Sequence, residues 1–476
     1  MGLVIQNIFW LTASRAIALV LLFLAYTQLF RYLGPFGNGQ YQFVLSYVLI
    51  FSTVVDFGIQ QFITKKMTEA PDKTREYFES FFKFELVASG ILFGLLIMIA
   101  YLRAFEPVVI KAVVITGLGM VANALCYPYL AVLTAKQDLK KVALINLLNS
   151  LVNVTVIFLA IWLKKYIVFL ATIQLIFGVL DLGLYRWFVS GYLKHSVTLP
   201  ETSKEFRVTN HRQIIWDILK SGWPFALLVG FSAIYNRIDV VIISSLLGFA
   251  QTGIYTSAYK FFDLLNFFPA SVSHALFPAL TGFMAQGRIT EVKLTLEKYL
   301  RLMLTLALPM AVGGTILSKS LILLVAGEQF LDASRVLSVL IWAIAILFIY
   351  IPLNALVISQ LTKSAMVITG LNVLINIVGN IVFLPIFGIV AAAGMTVVSE
   401  FIQGGFYFYL VKKKIINFAF LPFLWKPLLA TGIMGLVMWQ FRLMNGLFLF
   451  SLGIVIYGIM SIFLNFREIK NFKFLF

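Results

Sequence analysis

Three basic side chains lie inside long apolar runs of the sequence: Arg15, Arg237 and Lys260. A charge at the centre of a bilayer costs about 3 kcal/mol on insertion scales unless it faces water or a partner. A guanidinium binds phosphate oxygens through a planar fork, and an ammonium binds them as a point charge. The sequence therefore predicts a shared, water-filled cationic cavity that binds an anionic, phosphate-bearing substrate. For Arg15, the alternative is a side chain that snorkels to the cytoplasmic surface.

Acidic residues accompany these cations. Asp239 follows Arg237 by two positions, on a different helix face, so the two charges cannot simply neutralise each other. Asp263 follows Lys260 by three positions, a spacing that allows a local ion pair. Asp56 closes an apolar run and suits a structural cap. We interpret these three acids as candidates for ion coupling or for structural support.

Catalytic and metal-binding motifs are missing from the sequence. It contains no Gly-x-x-x-x-Gly-Lys-Ser/Thr phosphate loop and no Gly-x-Ser-x-Gly nucleophile motif. The single cysteine, Cys126, excludes a disulfide framework, and no Cys/His pair has metal-ligand spacing. We therefore expect no enzymatic activity, no metal and no cofactor.

The composition identifies the elements that must position the charged residues. Of the 476 residues, 61% are hydrophobic and 12% charged, against roughly 45–50% and about 25% in soluble domains. A membrane-spanning helix needs about 20 apolar residues, and such runs recur along the whole sequence. The sequence therefore predicts an all-α polytopic membrane protein with about fourteen spans, near residues 5–30, 40–64, 79–102, 108–134, 143–163, 167–189, 214–247, 253–283, 300–326, 334–361, 366–384, 389–411, 422–442 and 447–466.

The net charge of +17 is also explained by a membrane protein. Lys and Arg fall in short clusters between the apolar runs and form no basic face, so we expect no nucleic-acid partner. Counted over alternate sides of the predicted spans, 26 basic residues lie on one side and 8 on the other. The positive-inside rule then predicts that both termini are cytoplasmic.

A repeat is visible at the ends of spans 1 and 7. Identical residues recur at an offset of 214 positions: Leu33, Gly34, Gly39 and Tyr41 match Leu247, Gly248, Gly253 and Tyr255. Two asparagine pairs recur at an offset of 227: Asn149 and Asn153 match Asn376 and Asn380. A unit of six spans, an even number, predicts two parallel-repeat lobes related by an axis along the membrane normal.

The repeat suggests a domain organisation. We expect an N-terminal lobe over 1–189, a cytoplasmic linker over 190–212 and a C-terminal lobe over 213–411. Two extra spans and a cytoplasmic tail then occupy 412–476. The substrate path of such transporters lies at the interface between the halves.

Four stretches carry a resemblance to a known family. They are 56–66 from Asp56 to Lys66, 220–260 with Pro224, Gly253 and Lys260, 319–330 with Gly327 and Glu328, and 385–394 with Pro385 and Gly388. These stretches resemble polysaccharide-biosynthesis flippases of the Wzx type. Those flippases belong to the multidrug/oligosaccharidyl-lipid/polysaccharide exporter superfamily.

The resemblance implies two six-span lobes around a V-shaped cavity. The implied substrate is an undecaprenyl-pyrophosphate-linked oligosaccharide, a repeat unit of O-antigen or another surface polysaccharide, moved to the outer leaflet of a bacterial inner membrane. Arg15, Arg237 and Lys260 would hold its pyrophosphate. Implied partners are the lipid-linked oligosaccharide, membrane lipids, and a polysaccharide polymerase with its chain-length regulator.

Other functions remain open at this point. A multidrug or cation exporter of the same superfamily would need acidic cavity residues, whereas three candidates within the spans are cations. A lipid II flippase differs only in the sugar of its substrate. A membrane-bound transferase or polymerase usually has a long external loop, and the predicted external loops are short.

Overall fold

The structure, a computed structural model, is built from α-helices, with no β-strand among the residues that it describes. It describes the backbone of 2–56, 58–195 and 211–470, and the side chains of 17–55, 58–193, 227–273 and 276–465. The helices are α1 Gly2–Asp56, α2 Ile59–Glu69, α3 Thr74–Leu102, α4 Pro107–Ala124, α5 Tyr127–Ala135, α6 Leu139–Trp162, α7 Ile167–His195, α8 His211–Ala285, α9 Ile289–Val325, α10 Ala333–Gln360, α11 Thr362–Phe387, α12 Ile389–Leu410, α13 Leu421–Gln440 and α14 Gly446–Lys470.

Twelve helical segments in the described chain are long and apolar enough to cross a membrane. Two of them are much longer than one crossing: Ile17–Glu69 has 53 residues and Leu227–Ala285 has 59. Because one crossing takes about 20 residues, each long segment supplies two. The chain then has about fourteen spans, which confirms the predicted all-α polytopic membrane fold.

Both long helices break at a glycine. Gly34 in α1 has φ 63° and ψ −178°, and Gly248 in α8 has φ 81° and ψ 175°. Residues with a Cβ rarely adopt a positive φ, whereas glycine adopts it without steric cost. After Gly34 the chain resumes with Pro35, which suits the first turn of a helix because it lacks the backbone N–H that would stay unbonded there. The two glycines that the sequence repeat pairs therefore share one backbone conformation.

The chain divides into two compact units, Met1–Gly253 and Ile254–Phe476. The boundary lies within α8, after its break at Gly248. The predicted linker, 190–212, lies largely outside the described residues. The predicted lobes, 1–189 and 213–411, remain a prediction.

The first unit has two apolar cores. One joins α1, α3, α4, α6 and α7 around buried residues such as Leu29, Val113 and Ile157. The other joins α2, α3, α5, α6 and α7 around Ile63 and Leu133. Because lipid surrounds the outer faces of these helices, their large apolar side chains point outward as well as inward, as the 76% exposure of Leu102 illustrates.

The second unit packs α10 against both α9 and α12, and α11 against α12. The last two helices, α13 and α14, pack on α9. Leu317 of α9, Met434 and Met438 of α13, and Leu449 of α14 form the buried core of this three-helix group. The two extra C-terminal spans are therefore anchored to the second unit through α9.

Candidate functional site

Two of the predicted site residues lie in α8 within the first unit. Asp239 is buried, with 4% of its surface exposed, and Arg237 is half-buried. Two positions along a helix turn the side chain by about 200°, so the two residues point to different faces. The helix therefore carries a basic and an acidic group two positions apart, on different faces.

The other two lie one helical turn apart in the second unit. Lys260 Nζ and Asp263 Oδ2 are 3.6 Å apart, and 17% and 32% of the two side chains are exposed. An aromatic series runs beside them along α8, with ring centroids 5.8 Å apart for Tyr255 and Tyr259 and 5.0 Å for Tyr259 and Phe262. The structural ion pair that the sequence left open for Lys260 is therefore formed, and the ammonium stays partly accessible.

The remaining two predicted residues lie on α1. Arg15 is in its first segment and Asp56 is its last residue. The side chains of both lie outside the described residues. Their proposed roles therefore continue to depend on the sequence argument alone.

Two segments that the sequence repeat pairs, around Gly39 and Gly253, contact each other reciprocally within the first unit. A Cβ on Gly39 would lie 1.7 Å from the carbonyl oxygen of Phe249, and a Cβ on Gly253 would lie 1.8 Å from that of Pro35. Pro35 and Phe249 are themselves 214 positions apart. Asn38, fully buried, donates from Nδ2 to the Gly253 carbonyl at 3.0 Å. Two helical segments therefore meet backbone to backbone at matching positions, and this contact leaves no room for a side chain at either glycine.

A buried carboxylate in the first unit lies on α7. Asp181 is 9% exposed, and Asn149 Nδ2 of α6 donates to both of its carboxylate oxygens at 3.0 Å. Asn149, one of the repeated asparagines, therefore joins α6 to α7. Such side-chain hydrogen bonds between membrane helices are typically worth about 1 kcal/mol.

A second buried carboxylate lies on α12 in the second unit. Glu400 is 1% exposed and accepts a hydrogen bond from the Tyr350 hydroxyl of α10. Gln403 Nε2 also lies 3.4 Å from that hydroxyl. Nearby, the Tyr407 hydroxyl and Thr369 Oγ1 are 3.2 Å apart. Polar groups from α10, α11 and α12 are therefore collected in the interior of the second unit.

The sequence analysis did not predict this interior cluster. Glu400 is recognisable as an acid within an apolar span, but nothing near it in the sequence indicates Tyr350 as its partner, 50 positions earlier. Only the packing of α10 on α12 unites them. Among the described residues, no group of three or more His, Cys, Asp or Glu side chains is arranged to hold a metal ion.

Comparison with known proteins gives two family matches. The family model described as polysaccharide biosynthesis protein matches residues 4–284, more than half of the chain. A second model, MatE, matches residues 224–382.

Individual relatives are distant. An uncharacterized membrane protein of Methanocaldococcus jannaschii is 24% identical over 60% of this chain, which spans only 58% of that relative's length. The probable flippase AglR of Haloferax volcanii is 23% identical over 77% of this chain and 74% of its own.

Among solved structures, the lipid II flippase MurJ in an inward closed conformation shares the fold. The TM-score is 0.66 with 18% identity, over 94% of this chain and 99% of MurJ. The resemblance found in the sequence is thereby confirmed at the level of family and fold. The chain belongs to the polysaccharide biosynthesis protein family, within the multidrug/oligosaccharidyl-lipid/polysaccharide exporter superfamily.

Proposed function

We propose that this protein flips an undecaprenyl-pyrophosphate-linked oligosaccharide, a repeat unit of O-antigen or another surface polysaccharide, from the cytoplasmic to the outer leaflet by alternating access. The observation that carries the proposal is a basic residue held half-buried within an apolar span, Arg237. Such a charge is costly in lipid and is kept where it faces a wet cavity or a partner. A flippase for a pyrophosphate-linked lipid needs such a group.

The three cations have distinct tasks in this proposal. Arg15 and Arg237 bind pyrophosphate oxygens through their guanidinium forks. Lys260 provides a point charge, and its ion pair with Asp263 holds the ammonium in position until the phosphate competes for it. Asp56 and Asp239 are proposed to support or ion-couple this site. The prenyl tail remains in the lipid throughout, so that only the sugar and the pyrophosphate need a polar path.

The family membership and the relatives support the substrate class. One relative is named as a probable flippase, and the fold is that of a lipid II flippase. We propose the cytoplasmic membrane of a bacterial cell as the location, with both termini cytoplasmic. A polysaccharide polymerase and its chain-length regulator are the proposed partners that consume the flipped product.

The test is a leaflet assay in proteoliposomes with a labelled prenyl-pyrophosphate oligosaccharide. We expect Arg237→Ala to reduce the initial rate about ten- to a hundredfold, because one charge-assisted hydrogen bond contributes about 1.5–3 kcal/mol. Arg237→Lys should keep part of the rate, since it keeps the charge but loses the fork. Arg442→Ala is the control, because Arg442 lies exposed over the Trp439 ring at 4.4 Å.

Two results would contradict the proposal. The first is wild-type flipping by the triple variant Arg15→Ala, Arg237→Ala, Lys260→Ala at normal insertion levels. The second is restoration of flipping when Asp239 and Asp263 are neutralised together with the cations, which would mean that the cations only balance these acids.

A second candidate function is export of organic cations. It is favoured by the MatE match over residues 224–382 and by the buried acid Glu400. In that case the proteoliposomes would accumulate a fluorescent organic cation, and Arg237→Ala would leave that accumulation unchanged.

A further inference from the structure

Two asparagines in the interior of the second unit have amide atoms without a protein partner. Asn372 and Asn376 lie four positions apart on α11 and are 2% and 0% exposed, so they share one face of the helix. Neither Oδ1 nor Nδ2 of Asn372 has a hydrogen-bond partner among the described residues, and the same holds for Asn376 Nδ2. Asn376 Oδ1 accepts from Asn380 Nδ2 at 3.0 Å. Three enclosed polar atoms therefore lack a hydrogen bond to any described residue.

The first unit shows what such an amide requires. Asn149, which the sequence repeat pairs with Asn376, donates from Nδ2 to both carboxylate oxygens of Asp181 at 3.0 Å. Leaving a buried donor or acceptor without a hydrogen bond is costly in free energy, and buried polar groups that lack a protein partner bind ordered water instead. Asn376 therefore needs an acceptor that no described side chain of the second unit provides.

The chemistry of the three atoms indicates the ligand. Two are N–H donors, Asn372 Nδ2 and Asn376 Nδ2, and the third is an acceptor, Asn372 Oδ1. A cation would be repelled by the donors and an anion by the acceptor, whereas water both donates and accepts. Side chains at i and i+4 have Cβ atoms about 5–6 Å apart, and two hydrogen bonds of about 2.9 Å through one water span that distance. A single water can therefore bridge the two amides.

Polar groups continue along the same face of α11. Thr369 lies three positions before Asn372 and is 5% exposed, and its Oγ1 is 3.2 Å from the hydroxyl of Tyr407 on α12. Tyr407 is 0% exposed, and its ring centroid is 5.7 Å from that of Tyr350, the residue that donates to Glu400. A polar ligand on this side of Asn372 therefore lies next to the buried cluster of the second unit.

We propose that Asn372 is the centre of an internal water-binding site. One water bridges Asn372 Oδ1 and Asn376 Nδ2, donating to the oxygen and accepting from the N–H. Another accepts from Asn372 Nδ2 and hydrogen-bonds to the hydroxyl pair of Thr369 and Tyr407. These waters give α11 the hydrogen bonds that a carboxylate gives to the matching asparagine of the first unit, and they join α11 to α12. The site is separate from the proposed flipping function and stands without it.

The test is X-ray hydroxyl-radical footprinting of the purified full-length protein, read out by mass spectrometry. Radicals formed from a bound water modify the side chains beside it, so a fully buried tyrosine is modified only where water lies next to it. We expect Tyr407 to be modified severalfold faster than Phe81, which is 1% exposed in an apolar core of the first unit, after correction for intrinsic reactivity. Asn372→Leu should lower the Tyr407 rate to that of Phe81, whereas Asn372→Ser should retain most of it, because serine keeps a donor and an acceptor.

Asn445→Leu is the matched control, since it makes the same substitution at an exposed residue and should leave the Tyr407 rate unchanged. If Asn372→Leu does not fold, Asn376→Leu removes the other end of the bridge and takes its place. Equal rates at Tyr407 and Phe81 in the wild type would overturn the proposal, as would an unchanged Tyr407 rate in the folded leucine variant. If sodium chloride in place of choline chloride suppresses the modification of Tyr407 and raises the melting temperature, a cation occupies the site and the proposal is wrong.

Discussion

Each unit buries a carboxylate, and the two carboxylates are stabilised in different ways. In the first unit, Asp181 is 9% exposed and accepts hydrogen bonds from an amide on α6, the helix before it. In the second, Glu400 is 1% exposed and accepts a hydrogen bond from a phenol on α10, two helices earlier. Each of the two buried acids therefore takes its hydrogen-bond donor from a different helix of its own unit.

The contact around Gly39 and Gly253 differs from the two acids, because it is reciprocal. Each glycine approaches a carbonyl oxygen of the other segment, and the partners Pro35 and Phe249 share the offset of the glycines. A backbone contact this close requires a residue without a side chain on each segment, so both glycines are needed for it. Each carboxylate is instead stabilised by a side-chain donor, so the residue type of that donor can differ between the two units.

The largest effect is expected at the reciprocal glycine contact. Gly39→Ala and Gly253→Ala should each destabilise the fold by about 3 kcal/mol or more, because the added methyl meets a backbone carbonyl that cannot move aside. The measurement is the fraction of monodisperse protein in size-exclusion chromatography after a temperature series. Gly94→Ala is the control, since a Cβ on Gly94 meets nothing within 4 Å. If only one of the two variants is destabilised, the contact is not reciprocal.

An intermediate effect is expected at the buried carboxylates. Tyr350→Phe should lower the free energy of unfolding by about 1–3 kcal/mol, because the almost fully buried Glu400 loses a donor. Asn149→Ala should cost less, since Asp181 retains some exposure and can bind water. Unfolding by SDS titration measures both, with Tyr409→Phe as the control because Tyr409 is 53% exposed. If Asn149→Ala lowers the free energy of unfolding more than Tyr350→Phe does, the hydrogen bonds contribute more at Asp181 than at Glu400, and the prediction is wrong.

The smallest effect is expected at an ion pair of the first unit, at the loop before α6. Asp138 Oδ2 lies 2.7 Å from Lys141 Nζ and accepts the Tyr192 hydroxyl at 2.8 Å. Partial burial by itself would raise the pKa of Asp138, but hydrogen bonds from Lys141 and Tyr192 outweigh it and lower that pKa below its usual value.

A lowered pKa in the folded state means that the charged carboxylate stabilises the fold. This contribution is complete above the unfolded pKa of about 3.9 and is lost as the pH falls through the lower folded value. Asp138→Asn should therefore lower stability by up to about 1 kcal/mol at pH 7, and this difference should shrink as the pH falls toward 2. The melting temperatures of variant and wild type at the two pH values measure this. A difference that persists at pH 2 would mean that the lost stability comes from packing.

Sequence reasoning reached much of the fold, for physical reasons that can be traced to particular residues. Gly34 and Gly248 were recognisable because they recur at one offset, and the structure gives both a positive φ, which favours glycine. The fourteen spans were recognisable because a helix in lipid must be apolar over about 20 residues. The site could be predicted less completely. Arg237 and Asp239 are recognisable in the sequence as charges, but the residues around them come from other helices.

The sequence by itself determined that the chain is a multi-pass helical membrane protein with a repeat, because hydropathy and backbone preferences are local properties. Only the tertiary structure decided which polar groups meet: Tyr350 with Glu400, Asn149 with Asp181, and Lys426 with Asn465. These pairs join different helices, and their separations of 50, 32 and 39 positions follow no helical period. Helix packing selects such partners through the fit of whole surfaces, and that fit cannot be derived from any single segment of the sequence.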